Sequence, residues 1–62
     1  MFILVTIQRN EEESIEAINA SQIVTIQPNT KTGMGAVVHL QNGKFVFCDE
    51  TVQELVKRLN NG

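Results

Sequence analysis

Apolar and β-branched residues recur in short segments along the chain, and this pattern predicts a protein built mostly from β-strands. The first strand is predicted at residues 2–8. Its alternate positions separate into two faces, Ile3, Val5 and Ile7 on one and Phe2, Leu4 and Thr6 on the other. Both faces are apolar near the start of the strand, which is unusual for a strand that is half exposed to solvent.

Residues 14–19 fit two structures. In a helix, Asn10 would cap the N-terminus, and Ile15 and Ile18 would share one face. In a strand, Ile15 and Ala17 would alternate with polar neighbours. We favour the strand, because the helix would be barely two turns long and because of the family resemblance given below.

The next predicted strand covers residues 23–27 and ends at Pro28, which cannot donate a hydrogen bond to a neighbouring strand. Residues 29–35 are polar and contain two glycines, so they are predicted to form a loop.

The strongest structural signal is a β-hairpin in which residues 36–41 and 44–48 flank the dipeptide Asn42-Gly43. This dipeptide suits a two-residue type I′ turn. The register that follows places one apolar set on one face, Val38, Leu40, Phe45 and Phe47. The opposite face then carries Val37, His39, Val46 and Cys48.

Residues 50–60 are predicted to form an amphipathic helix. Its apolar stripe consists of Val52, Leu55, Val56 and Leu59. Thr51 and Glu54 have the spacing of a capping box, and Asp49 is an alternative cap. We expect the stripe to cover the hairpin face that carries the two phenylalanines. The predicted fold is therefore α+β and mostly β: an antiparallel meander of four or five strands, or a small barrel, with one C-terminal helix, in a single domain over residues 1–62.

Charge and length exclude several classes of function. The 62 residues carry a net charge of −2, and only two of the five basic residues are adjacent, which disfavours nucleic-acid binding. The apolar start is too short for a membrane-spanning helix and lacks the basic start of a signal peptide. One cysteine cannot form an internal disulfide bond, and a free thiol is typical of a reducing compartment. We expect a cytoplasmic location.

Few side chains could carry chemistry. His39 and Cys48 share a face in the predicted hairpin, but they are not directly opposite each other and have no third group to orient them. A metal site would have to use His39, Cys48, Asp49 and Glu50, whereas structural zinc sites normally take four Cys or His ligands. The G-x-G at residues 33–35 lacks the third glycine and the helix of a nucleotide-binding motif. We therefore expect no enzymatic activity and no catalytic, cofactor-binding or metal-binding residues.

The predicted fold leaves one apolar set without a cover, Phe2, Leu4, Val37, Val46 and Cys48. A soluble monomer rarely exposes such a set. We expect self-association through this face or through an edge strand, although a sheet that curls into a barrel would bury some of these residues itself. Our functional hypothesis is a non-enzymatic interaction module that binds protein partners. The alternative is a nucleic-acid-binding regulator in which Arg9, Lys31 and Lys44 converge.

From Asn19 onward the chain resembles the FlbD-like group of small proteins, which is named for a flagellar and swarming motility protein. The resemblance is carried by residues 19–26, with Asn19 before the strand, by the Asn42-Gly43 hairpin turn and by the helix start at residues 50–55. It covers about two-thirds of the chain. Where the family usually has a glycine in its first turn, this chain has residues 9–13, Arg-Asn-Glu-Glu-Glu. The resemblance implies a small β-rich fold with a terminal helix, a bacterial or phage-type setting and a non-enzymatic role.

Overall fold

The computed structural model describes residues 1–61, which form five β-strands and one α-helix. The strands are β1 (Phe2–Arg9), β2 (Glu12–Asn19), β3 (Ile23–Pro28), β4 (Ala36–Leu40) and β5 (Phe45–Cys48), and the helix α1 spans Val52–Asn61. One antiparallel sheet has the order β2-β1-β5-β4-β3. The predicted fold class is confirmed. The sheet is not closed within residues 1–61, and β2 and β3 are its two edges.

The first hairpin resolves the ambiguity at residues 14–19 in favour of a strand. β1 and β2 pair without interruption from Phe2 opposite Asn19 to Arg9 opposite Glu12. The two residues between them, Asn10 and Glu11, have φ angles of 48° and 69°. These positive angles at both central positions are the signature of a type I′ turn, here formed without glycine.

The second hairpin corrects the predicted register. Gly43 N donates to Leu40 O at 3.1 Å and Leu40 N donates to Lys44 O at 2.8 Å, so the loop holds three residues rather than two. Gly43 alone among them has a positive φ, 83°, and Lys44 N donates to the Asn42 side chain at 2.9 Å. A turn followed by a left-handed glycine is the usual three-residue hairpin.

This one-residue shift reverses the face on which each side chain of β5 lies. The observed pairs are Ala36 with Cys48, Val37 with Phe47, Val38 with Val46, and His39 with Phe45. The phenylalanines therefore lie on the face away from the core. The prediction that α1 covers them was wrong.

The core lies on one side of the sheet, which we call the inner face. Its fully buried members are Ile3, Val5 and Ile7 of β1, Ala36 and Val38 of β4, Cys48 of β5, and Leu55 of α1. Leu55 closes the core from the helix, flanked by the half-buried Val52 and Leu59, whereas Val56 is exposed. The predicted capping box is confirmed, with Glu54 N donating to Thr51 Oγ1 at 3.1 Å and Thr51 N donating to Glu54 Oε1 at 3.0 Å.

Gly35 explains how the loop before β4 approaches β5. Its φ is 75°, and a Cβ at this position would lie 2.0 Å from the carbonyl oxygen of Cys48. Any side chain would displace the β5 backbone, so this glycine of the G-x-G sequence serves packing.

Candidate interaction surface

The opposite side of the sheet, which we call the outer face, carries large apolar side chains that are exposed to solvent. They are Phe2 and Leu4 on β1, Ile15 on β2, and Phe45 and Phe47 on β5. Leu4 is 62% exposed, Phe2 65% and Ile15 71%. Exposed apolar residues grouped on one face are typical of interaction sites rather than of the surface of a free monomer.

The predicted interface residues divide between the two faces. Phe2 and Leu4 are exposed on the outer face, and Val37 is half-buried there beside Phe47. Val46 packs against the core and Cys48 is only 3% exposed within it, so the placement of these two on the uncovered face was wrong. The cause is the hairpin register, which moves both residues to the inner face.

Three residues of the outer face were missed in the sequence. Phe45 and Phe47 were assigned to the core by the same register error, and Ile15 belongs to the segment whose structure was ambiguous. The signal for the phenylalanines was the Gln-Asn-Gly sequence at residues 41–43, which suits a three-residue loop as well as a two-residue one.

The two phenylalanines form an aromatic cluster with His39. The ring centroids of Phe45 and Phe47 are 5.4 Å apart in an edge-to-face arrangement, and those of His39 and Phe45 are 5.9 Å apart. His39 Nε2 lies 3.0 Å from Gln27 Oε1, which fixes the ring on the outer face. The cluster is thus an ordered aromatic surface, because each ring is held by a neighbour.

A groove of about 790 Å³ runs between β1 and α1. Phe2, Leu4 and Ile15 provide apolar lining. Its charged groups are of both signs, Lys57 and Arg58 with Glu50 and Glu54. We call it the β1 groove. Apolar walls with a few charged groups are usual for a site that binds a side chain or a peptide.

The β1 groove exists because β5 ends before β1 does. Their pairing stops at Ile7 opposite Cys48, so the first half of β1 pairs with β2 on one side and has no strand on the other. Asp49 N donates to Thr6 O at 3.0 Å, and Arg58 Nη1 donates to Leu4 O at 2.6 Å. Asp49, which precedes α1, and Arg58, in the last turn of α1, thereby replace part of the missing strand.

Glu50 is the centre of this replacement. Its carboxylate accepts hydrogen bonds from Thr6 N at 2.9 and 3.0 Å, from Thr6 Oγ1 at 3.0 Å and from Arg58 Nη1 at 2.8 Å. Burial by itself raises the pKa of Glu50, but the hydrogen bonds from Thr6 and Arg58 outweigh it and the net pKa is lowered. Glu50 therefore remains ionised and fixes the helix against β1. Sequence reasoning missed this role, because Thr6 lies 44 positions away.

Cys48 and His39 lie on opposite faces of the sheet, which corrects their predicted placement on one face. Burial, followed by the negative charges of Glu50 and Asp49, raises the pKa of the Cys48 thiol to about 11. A buried thiol with a raised pKa is a poor nucleophile, and His39 is not placed to activate it.

The remaining candidate chemistry is sparse in the part of the chain that the structure describes. Among residues 1–61, no cluster of three or more His, Cys, Asp or Glu side chains is placed to hold a metal ion. None of the helical segments found there is both long and apolar enough to span a membrane. Two of the five basic residues form ion pairs, Arg9 with Glu16 and Arg58 with Glu50.

Comparisons with protein-family models, with curated proteins and with solved structures give no match for this chain.

Proposed function

We propose that this protein is a small, non-enzymatic interaction module that binds protein partners and associates with itself. The observation that supports the proposal best is the outer face, where Phe2, Leu4 and Ile15 are exposed beside the β1 groove and Phe45 and Phe47 are exposed near the other end of β1. An interaction module of the cytoplasm is also consistent with the single buried thiol. The resemblance to the FlbD-like group belongs to the same proposal, because it implies a non-enzymatic role.

The size of the exposed surface supports association. A specific interface commonly buries about 800 Å² on each partner. Large apolar side chains contribute on the order of 100 Å² each, so Phe2, Leu4 and Ile15 supply roughly a third of that area. A chain of 62 residues gains in stability from such burial, because its own core is small.

Light scattering coupled to size exclusion tests the self-association. We expect a mass of at least twice 6.9 kDa at concentrations of tens of micromolar. The variant Ile15→Ser, at the most exposed apolar residue of the outer face, should weaken association at least tenfold. Val24→Ser, which alters an exposed apolar residue on β3, is the matched control and should leave association unchanged. A 6.9 kDa monomer at several hundred micromolar would contradict the proposal.

Single-stranded nucleic acid is the second candidate partner, and the aromatic cluster is the observation that favours it. Exposed rings on a sheet face provide stacking surfaces for bases. Against it stand the net charge of −2 and the engagement of Arg9 and Arg58 in ion pairs. Fluorescence anisotropy with labelled oligonucleotides at 50 and 200 mM salt separates the two candidates. Nucleic-acid binding requires an affinity that falls steeply with salt and is lost in Phe45→Ser.

A further inference from the structure

The two edges of the sheet differ in how well they are protected against pairing with another strand. β3 is interrupted by a register shift between Ile23 and Thr25 and ends at Pro28. Bulges and prolines are two common devices that prevent edge-to-edge pairing. β2 has neither: its eight residues pair continuously with β1, and its sequence contains no proline, glycine or lysine. Its edge protection is limited to the charges of Glu12, Glu13 and Glu16.

The backbone of β2 presents a defined set of groups to solvent. Thr6 N and Thr6 O bond to Glu50 and Asp49 on the side of β1 away from β2, so the odd-numbered residues of β1 bond to β2. Their partners in β2 are the even-numbered residues, because Val5 is opposite Glu16 and Ile7 is opposite Ser14. The N–H and C=O groups of Glu13, Ile15 and Ala17 therefore point outward from the sheet edge.

We propose that β2 pairs antiparallel with β2 of a second copy of this chain, with Ile15 opposite Ile15 of the copy on the two-fold axis. This inference rests on the proposed self-association and specifies its surface. In such a pair the outward-pointing residues occupy the hydrogen-bonded positions, and Ile15 is one of them. The pairing joins two five-stranded sheets into one of ten strands.

The charges of β2 select this register. With Ile15 on the axis, Glu13 lies opposite Ala17 of the copy, and Ser14 lies opposite Glu16 of the copy, so no two carboxylates are directly opposed. An axis at Glu13 or Glu16 would oppose two identical glutamates, and an axis at Ser14 would oppose Glu12 to Glu16 of the copy. Like charges that are directly opposed destabilise a strand pair. An axis at Ala17 avoids this conflict, but it leaves only about five residues of each strand paired, against about seven for the axis at Ile15.

The residues nearest the axis favour the same arrangement. Ile15 is the most exposed apolar side chain of β2 at 71%, and its own copy would cover it. Glu16 is already bonded to Arg9 and to Ser14 Oγ, so its charge near the axis is balanced within each chain. Leu4, which neighbours Ile15 on the outer face, extends the apolar stripe into both copies.

Disulfide trapping tests the register. In a hydrogen-bonded antiparallel pair the two Cα atoms lie about 5.5 Å apart, within reach of a disulfide bond. In the proposed dimer the two copies of residue 13 lie roughly 14 Å apart, since they are separated by four residues along the strand. Ile15→Cys should therefore form a disulfide-linked dimer at least tenfold faster than Glu13→Cys under mild oxidation. The wild-type chain, whose only cysteine is buried, is the background control.

A proline pair separates edge pairing from folding. Ile15→Pro removes an outward N–H and should abolish the dimer while the circular dichroism spectrum of the monomer is retained. Glu16→Pro removes an N–H that bonds to β1 and should lower the melting temperature. If the dimer shows no preferential trapping at Ile15→Cys, or if it survives Ile15→Pro, the pairing of β2 with β2 is overturned. The proposed self-association is then unaffected. A wild-type monomer at several hundred micromolar overturns both.

Discussion

Replacement of Glu50 should weaken the fold more than replacement of any other acidic residue. The side chain is 8% exposed and is the acceptor that joins Thr6 of β1 to Arg58 of α1. Glu50→Ala removes these contacts and leaves Thr6 N without its carboxylate partner. Glu50→Gln keeps the shape and one acceptor oxygen but removes the charge.

The magnitude follows from the contacts. A hydrogen bond to a charged group contributes about 1.5–3 kcal/mol, and an unpaired buried donor costs about 1–3 kcal/mol. The ion pair adds little, because the Arg58 side chain is 42% exposed. We therefore expect Glu50→Ala to lower the free energy of unfolding by about 2–4 kcal/mol. A 62-residue domain has a total of roughly 3–9 kcal/mol, so the melting temperature should fall by at least about 8 °C.

The pH dependence identifies the cause of the loss. The folded-state pKa of Glu50 lies below its ordinary value of 4.5, so ionised Glu50 stabilises the fold above that value. This contribution disappears as the pH falls through the lowered pKa. The difference in unfolding free energy between wild type and Glu50→Gln should therefore be constant from pH 6 to 7 and shrink below about pH 4.

Urea unfolding, followed by circular dichroism at a series of pH values, provides the measurement. Glu12→Gln removes the same charge from an exposed position of β2 and serves as the matched control. A loss below about 0.5 kcal/mol for Glu50→Ala at pH 7, or a difference for Glu50→Gln that persists unchanged at pH 3, would refute the account of Glu50 as the link between helix and sheet.

Three further predictions concern the turns and the thiol. Gly35→Ala should lower the free energy of unfolding in urea by about 3 kcal/mol or more, because its Cβ would overlap the carbonyl of Cys48. Gly33→Ala, whose φ is also positive but whose Cβ meets open space, should lower it by about 1 kcal/mol. Equal losses for the two variants would contradict the overlap. Glu11→Gly should raise the free energy of unfolding by up to about 1 kcal/mol, because a glycine adopts the φ of 69° without strain, and an unchanged stability would count against that strain. Cys48, with its pKa raised to about 11, should react with iodoacetamide at pH 7 roughly a hundredfold more slowly than a free thiol until urea unfolds the chain, and fast labelling of the folded protein would contradict its burial.

The elements of this fold were predictable from the sequence because their signals are local. The alternation of Ile3, Val5 and Ile7 identifies β1 and the face that it buries. Thr51 and Glu54 mark the start of α1 through their reciprocal hydrogen bonds. Each of these patterns needs only residues within a few positions of one another, so the rest of the fold does not alter it.

The register of the second hairpin was not predictable in the same way. Gly43 can close a two-residue loop or a three-residue loop, and the choice reverses the faces of β5. In the observed three-residue loop the side chain of Asn42 accepts a hydrogen bond from Lys44 N. The loop length also depends on which side chains of β5 fit the core. This fit depends on β1 and α1, which are distant from the hairpin turn in sequence or form only when the chain folds. Phe2 and Leu4 of β1 are therefore exposed as predicted, whereas the predicted exposure of Val46 and Cys48 on β5 was wrong.

The register of the second hairpin places large apolar side chains on the surface because the core of so small a protein is already filled. Val46 and Cys48 face a core already filled by the three isoleucine and valine side chains of β1 and by Leu55, and larger rings would overpack it. Phe45 and Phe47 are left outside, where they contact each other, His39 and the neighbouring Val37 but remain 52% and 38% exposed. Burial of a phenylalanine is worth about 1.5–3 kcal/mol, which is large beside the stability of so small a domain. The largest side chains of this chain can therefore contribute fully only when another molecule covers the outer face, and association and stability should rise together.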